Sequence, residues 1–502
     1  MPKVAIVGSG VAGSLIAWKL AVAGFQVLLL EAGPAVSRGR AASNFSEFED
    51  PARTYPSTPD QPRWGDEHVF YDQQGPENFA AVYEKLVGGT TWHWLGTSLR
   101  FLANDFQLRS HYGVGRDWPI TLSQLDPFYA EAERELGVAG AAMPALQATY
   151  LDQQIGAAAA TVGYRVEVLN AARNSVPYAG RPACRGSATC LPICPIGAKY
   201  DASVHVSKAV AAGVELWSST QVQRLLIKEG RVVGLEAIRE GVSQTVDADL
   251  FIVAANAIET PRLLLYSGLP NPHTGRFLMG MAGQVSQALA PKPVWPFRSP
   301  QVVSGITQFR DGAFRRRRAA FTISIGNDGW PSGAPPRVAA DLIDQGLRGK
   351  ALSQALRDHV SRQVLLVSNC EELPRPENRI CLSNKLDSHG IPRPRVHYKV
   401  GQYTKDSIDE CVLIHARIFQ ALGANHIHHF EESADPAHLA GTCRMGPAAD
   451  SVVDSDLRSH DWPNLYVVGS SVFAGVGSAP PTLTIAALAL RCAYNLAKTR
   501  SS

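Results

Sequence analysis

No run of about 18 apolar residues occurs in this 502-residue chain, so nothing in it predicts a membrane-spanning helix. An excess of charge is also missing: 48 Lys and Arg stand against 45 Asp and Glu, a formal net charge of +3. That balance does not imply nucleic acid as a partner. Arg315, Arg316, Arg317 and Arg318 form the one dense basic block, and so short a run predicts a solvated hairpin tip. No internal repeat is visible, which argues against a solenoid or propeller. No export leader is recognisable, because Met1-Pro2-Lys3 runs directly into the apolar strand Val4-Ala5-Ile6-Val7. The chain alone therefore reads as cytoplasmic, and export to the periplasm or membrane surface would need a partner that carries the address.

At this length a single core stops growing, and two interwoven domains are expected. Val4 to Val7 is a buried strand. Gly8-Ser9-Gly10-Val11-Ala12-Gly13 follows, then a helix ending at Gly24, then the strand Val27-Leu28-Leu29-Leu30-Glu31. This is a complete βαβ unit. Residues 34–77 read as a long excursion, 120–165 as helical, and 250–255 as another buried strand leading into a helix from Thr260. Alternating strands and helices occupy 291–430. Near the end, Leu465-Tyr466-Val467-Val468 is again a strand, followed by a Gly/Ser turn and a long helix from Thr482.

A GxGxxG sequence is a weak signal alone. Between a strand and a helix, with an acid closing the next strand, it predicts a dinucleotide site. Gly8 permits the tight turn, Gly10 admits a pyrophosphate to the backbone, and Gly13 lets helix and strand pack closely. The helix start offers N–H groups to phosphate, and Glu31 is placed to accept from a ribose. The second strand-to-helix turn, Asn464 to Ser471, suits the far half of a long dinucleotide such as FAD.

Several segments together resemble the glucose–methanol–choline (GMC) oxidoreductases. They are the N-terminal GSGVAG…EAG, Gly88-Gly89-Thr90-Thr91, Asn256 to Leu265, the HLAGTCRMG run from His438 to Gly446, and the C-terminal VVGSS…PTLTIAALALR. The resemblance implies an α/β chain: a Rossmann-like FAD-binding domain and a second α+β substrate domain with a largely antiparallel sheet. It assigns residues 1–110, 195–290 and 436–502 to the discontinuous FAD domain, and 111–194 and 291–435 to the substrate domain. It also implies noncovalent FAD, with Val222 near the adenine, Gly88, Gly89, Thr90 and Thr91 beside the pyrophosphate and flavin, and Gly469 and Ser470 at the ribityl chain or pyrophosphate. Asn256 stands where glycine is commoner in the family, and Pro270 closes a segment that usually ends in glycine.

Residues 181–200 hold Cys184, Cys190 and Cys194 among Pro and Gly. Three thiols in one loop suit a soft metal or iron–sulfur site, or a purely structural loop. Zinc would want a fourth ligand, and no C-x2-C or H-x3-H partner is near. A disulfide would leave one thiol over. The other five cysteines, Cys370, Cys381, Cys411, Cys443 and Cys492, read as buried thiols. Here the resemblance narrows to bacterial FAD-dependent sugar and polyol dehydrogenases. It implies a 3Fe-4S cluster on Cys184, Cys190 and Cys194, a small companion subunit, and a cytochrome c-type acceptor.

Oxidising an alcohol needs a base for the hydroxyl proton, and histidine suits that role near neutrality. Most of the 14 histidines are expected to be inert. His426, His428 and His429 read as a polar strand or loop surface, and His93 as a neighbour of the flavin. His438 opens the segment that resembles the family's catalytic-histidine segment, and it is the expected base. The family's second group, an Asn or His, would stand where this chain has Pro480, which brings no side-chain donor and no N–H. The expected activity is therefore dehydrogenation of a sugar, polyol or related alcohol, with hydride transfer to flavin and electrons leaving through the cluster. The alternatives are an oxygen-using oxidase, which the cysteine loop disfavours, and a lyase or non-catalytic flavoprotein.

Overall fold

The computed structural model describes residues 1–46, 70–75, 79, 83–191, 193–330, 335–430 and 438–501. Five short strands make a parallel sheet in the order Leu465–Val467, Leu250–Val253, Lys3–Val7, Gln26–Leu30, Glu215–Trp217. The central strands read as apolar runs because they are buried on two sides; Ile6, Leu29, Ile252 and Val467 are wholly inaccessible. The helix Val11–Val22 leaves the first strand and packs against Ser203–Ala211 and the C-terminal helix Thr482–Ser501. A meander of three strands, Thr220–Lys228, Arg231–Arg239 and Val242–Val246, stands beside this layer.

The second layer is a six-stranded, wholly antiparallel sheet. Its order is Asn425–His429, Val285–Leu289, Gln363–Cys370, Phe321–Gly326, Val302–Ile306, Glu167–Val168. It begins earlier in the chain than residue 291, since Val285–Leu289 is one of its strands. The helix Gln402–Leu422 packs on one face. On the strand Gln363–Cys370 the residues Leu366, Ser368 and Cys370 are buried, while Val367 and Asn369 keep partial exposure. The period-two alternation gives this strand two different faces.

Residues 120–165 form two helices, Leu122–Leu136 and Tyr150–Thr161, not one. Gly137 ends the first with φ +70°, and Thr149 caps the second. The helix expected from Thr260 starts at Asn256. Asn256 has φ +55°, and its Oδ1 accepts from the N–H groups of Ile258 and Glu259 at 2.7 and 3.0 Å. Asparagine tolerates the left-handed region and caps the helix, which accounts for its place at a position where glycine is commoner.

The basic run is not a solvated tip. Arg316 and Arg317 are exposed, but Arg315 is wholly buried and donates to Asp105 Oδ1 at 2.8 Å and Glu371 Oε1 at 2.7 Å. The four identical residues carried no signal of which one faces inward. Cys370, Cys411, Cys443 and Cys492 are buried, whereas Cys381 is half-exposed with Sγ 3.4 Å from His397 Nε2.

His415, on the helix beneath the six-stranded sheet, is wholly buried between two serines: Nδ1 meets Ser286 Oγ and Nε2 meets Ser368 Oγ, each at 2.8 Å. Burial pushes its pKa from 6.5 down to about 3. The unfolded chain thus binds a proton near pH 6.5 that the folded chain refuses until about pH 3. The stability this represents is full above about pH 6.5 and is lost as pH falls through that window. The urea unfolding midpoint is expected to decline on acidification from pH 6.5, and His415→Gln, which does not titrate, should show a shallower decline. Equal declines would remove His415 as a cause.

Candidate active site

A cavity of about 460 Å³ lies between the parallel sheet and the six-stranded sheet. Its floor is the first βα turn. Gly8 has φ +98°, and a Cβ there would stand 2.6 Å from Ala254 O; a Cβ on Gly13 would meet Gly8 O at 1.9 Å. Both positions are closed to any larger residue by backbone on the other side. Gly10 differs, because a Cβ there would meet nothing within 4 Å. It lines the cavity and caps the helix Val11–Val22 with no side-chain bond, so the N–H groups of the first turn are open to an anion.

Ser9 ties three predicted segments together. Its N–H and Oγ donate to Glu31 Oε2 at 2.9 and 2.8 Å, and its Oγ accepts from the N–H of Gly88 at 3.1 Å. Glu31 Oε1 accepts from Gly33 N at 3.1 Å. Glu31 is buried and lines the cavity; burial raises its pKa, opposed by these bonds. Three of its roughly four acceptor sites are thus filled within the protein, leaving room for one ligand hydroxyl. Sequence reading missed Ser9, and it carried no signal beyond its place inside the glycine turn.

Gly10, Glu31, Gly89, Thr90, Thr91, Val222, Gly469, Ser470 and His438 all line this one cavity, as does Gly8. Gly13 and Gly88 lie just behind it and set its walls. The Thr91 hydroxyl donates to Gly88 O at 2.7 Å and accepts from Ala202 N at 2.9 Å, which holds the Gly88–Thr91 turn to the helix Ser203–Ala211. His93 lines the same cavity, with Nε2 3.2 Å from Glu84 Oε1. His426, His428 and His429 lie elsewhere, on the edge strand of the six-stranded sheet.

His438 occupies the wall nearest the C-terminal loop, with Leu439, Pro480, Pro481 and Thr482 among its companions in the lining. Burial pushes its pKa down to about 4, so the imidazole is neutral at ordinary pH. Its Nδ1 is buried with no hydrogen-bond partner among the described residues. The six-stranded sheet contributes Ser324, Val367 and Asn369 to the same cavity, from the partly exposed face described above. Val367 and Asn369 are two residues apart, and Ser324 pairs with Val367 across the ladder. Sequence reading missed Asn369 and Ser324, because their register decides which face they take. The one cavity thus combines helix-start N–H groups suited to phosphate with a neutral imidazole and the polar side chains of Ser324 and Asn369.

Family models described as GMC oxidoreductase match residues 6–294 and 374–489. The chain belongs to the GMC oxidoreductases. It is an FAD-dependent oxidoreductase that acts on CH–OH donors. It is 35% identical to the fructose dehydrogenase large subunit of Gluconobacter japonicus, across 98% of this chain and 96% of that one. It is 28% identical to 6'''-hydroxyparomomycin C oxidase of Streptomyces lividus (98% and 91% covered) and 27% to 2-methyl-1,2-propanediol dehydrogenase of Mycolicibacterium austroafricanum (97% and 94%). Among solved structures, pyridoxine 4-oxidase from Mesorbium loti shares the fold, with a TM-score of 0.67, 19% identity and 99% of each chain covered. The GMC fold, with an α/β FAD-binding domain and a substrate domain, is as the sequence predicted. No helix among the described residues is long and apolar enough to cross a membrane.

The cysteine loop lies against the same cavity, which Leu191 helps to line. Cys190 and Cys194 are buried and Cys184 is half-buried; all three are free thiols. Backbone N–H groups point at two of the sulfurs, Gly186 N to Cys184 Sγ at 3.4 Å and Lys199 N to Cys194 Sγ at 3.5 Å. Among the described residues no three His, Cys, Asp or Glu side chains are gathered as a site for a metal ion. Ligands of one ion must crowd around it, whereas a cluster of three irons takes one sulfur per iron and spreads them. Three free thiols, two of them accepting N–H bonds, are the kind of donor set that such a cluster would need.

Proposed function

We propose that this chain is a dehydrogenase that oxidises a hydroxyl of a sugar, polyol or related alcohol, with His438 as the base. The observation that carries this reading is the neutral imidazole of His438, its Nδ1 without a partner among the described residues, in the cavity that also holds the dinucleotide-binding turn. FAD, when bound, supplies the acceptor for the hydride that leaves the carbinol carbon. The chain's own residues do the rest. Gly10, Gly89, Gly469 and Ser470 present backbone to the pyrophosphate, Glu31 accepts from the ribose, and Val222 lies by the adenine. His438 takes the hydroxyl proton onto a ring nitrogen. Asn369 and Ser324, which line the same cavity, supply hydrogen-bonding groups for the substrate that a proline at 480 does not. The relatives named for fructose and for propanediol support the substrate class. The test is an anaerobic screen of sugars and alcohols: bleaching of the flavin without oxygen supports a dehydrogenase. Rapid peroxide formation with no use of other acceptors would indicate an oxidase, and no bleaching a lyase or scaffold.

FAD is held noncovalently on this reading, since no attachment Cys or His is identifiable by motif. Acid precipitation should leave the flavin in the supernatant, and a yellow pellet would overturn this. Glu31→Ala is expected to weaken FAD binding about tenfold or more, the size of a lost hydrogen bond to a charged group. Fluorescence titration of apoprotein checks it, and unchanged affinity would remove Glu31 from the site.

Cys184, Cys190 and Cys194 would hold a 3Fe-4S cluster, which would supply one-electron transfer to a cytochrome c-type acceptor. The relative named as a large subunit supports a small companion subunit as well. Anaerobically purified protein should contain iron and labile sulfide, and should give an electron paramagnetic resonance signal when oxidised. Cys190→Ser should abolish that signal and retain FAD. Iron-free protein with full turnover would refute the cluster.

A further inference from the structure

Positive charge lies around the cysteine loop without matching carboxylates among the described residues. Arg173 and Lys199 are each 1% exposed and Arg181 is 9% exposed. Arg173 Nη1 lies 3.7 Å from Cys190 Sγ, and its Nη2 donates to the carbonyl of Val302. The Lys199 ammonium donates to the carbonyls of Trp92 and Trp94 at 2.7 and 2.8 Å, while its backbone N–H points at Cys194 Sγ. Arg181 donates to the carbonyls of Leu136 and Ala198 at 2.7 and 3.4 Å. All these oxygens are neutral. Asp201 is buried nearby, but its carboxylate is paired with Arg38 at 2.5 Å. Asp152 acts on Arg173 only at longer range, and its own bonds go to Thr149. None of the three cations makes an ion pair with a carboxylate among the described residues.

A buried cation with no counter-charge is strongly unfavourable, and proteins pair such groups. The groups left to balance these three are the sulfurs. Protonated thiols carry no charge and would not serve. Three thiolates around a core of three ferric ions and four sulfides carry two negative charges, and one added electron makes three. The cations then face an anion of matching size, and they favour its reduced form because that form carries more negative charge.

We propose that Arg173, Arg181 and Lys199 form a charge cage that neutralises a thiolate-bound iron–sulfur cluster and raises its reduction potential. This rests on the cluster reading above. Lys199 has a second consequence, since its ammonium ties the Trp92–Trp94 segment, which borders the cofactor cavity, to the loop that carries Cys194. The distance between the two redox sites is set in part by that one side chain.

The experiment is a redox titration of the FAD-loaded, cluster-loaded protein with dithionite and mediators, followed by electron paramagnetic resonance. At the wild-type midpoint, the ratio of reduced to oxidised cluster is expected to fall about tenfold in Arg173→Met, which is about 59 mV for a one-electron couple. Arg173→Lys, which keeps the charge, should stay within about twofold of wild type, and FAD content should not change in either. Lys199→Met should shift the midpoint in the same direction. An unchanged midpoint in both methionine variants would overturn the cage and leave the cluster reading standing. Loss of iron from the methionine variants with retention in Arg173→Lys supports the cage; loss from Arg173→Lys as well counts against it. Iron-free wild-type protein would end the cluster reading itself, and the cage with it.

Discussion

Replacing His438 with alanine is expected to slow anaerobic flavin reduction by about 10²- to 10⁴-fold, the range over which a positioned general base contributes. The side chain lines the cavity without bonding to other described residues through Nδ1, so its removal should leave the fold and the FAD content intact. No backup stands at 480, where the proline has no proton to give or take. The pH dependence gives an independent signature. With His438 as the proposed base, the active form is the neutral imidazole, and burial holds its pKa down at about 4. The rate of reduction at low substrate should therefore stay level from neutrality down to about pH 4 and fall below it, whereas a solvated histidine would halve it near 6.5. Stopped-flow reduction across pH separates the two cases. Wild-type rates in His438→Ala would move the base elsewhere, with His93 the next histidine in the cavity.

Arg315→Met is expected to lower folding stability by about 3–5 kcal/mol, the cost of breaking a buried ion pair by removing one partner. Asp105 and Glu371 are both buried and would have no cation within bonding distance among the described residues. Burial already raises the pKa of Glu371, and Arg315 is the chief influence opposing it. The effect should reach the active site, because Asp105 Oδ2 also accepts from Ser478 Oγ at 2.9 Å, two residues before Pro480. A lower urea midpoint together with slower reduction is the expected pair of results. Arg316→Ala is the control: its side chain is exposed, and its change should stay within about 0.5 kcal/mol. Equal stability in Arg315→Met and Arg316→Ala would contradict the buried network.

Much of the nucleotide half was legible before any coordinates. Val4 to Val7, the glycine turn and Leu250 to Val253 are local patterns, where strand, turn and helix follow from neighbours in sequence. The glycines were also legible, since Gly8 and Gly13 are places where backbone leaves no room for a Cβ. The start of the helix at Asn256 was not, because it depends on one side chain capping its own N–H groups from a left-handed residue.

By itself the sequence determined the βαβ dinucleotide unit, the GMC family and the FAD dependence, and it singled out His438 and the three loop cysteines as candidates. Each of these rests on residue types at fixed short spacings. The tertiary structure alone decided which members of uniform or alternating runs face inward: Arg315 out of four arginines, and Asn369 but not Ser368 toward the cavity. It also brought Ser9, Glu31 and Gly88 into one hydrogen-bonded knot, and left Arg173, Arg181 and Lys199 beside three thiols with no carboxylate among the described residues to pair them. The physical reason is common to all of these. Burial, register and charge balance are properties of segments far apart in the chain, and they exist only once those segments have packed.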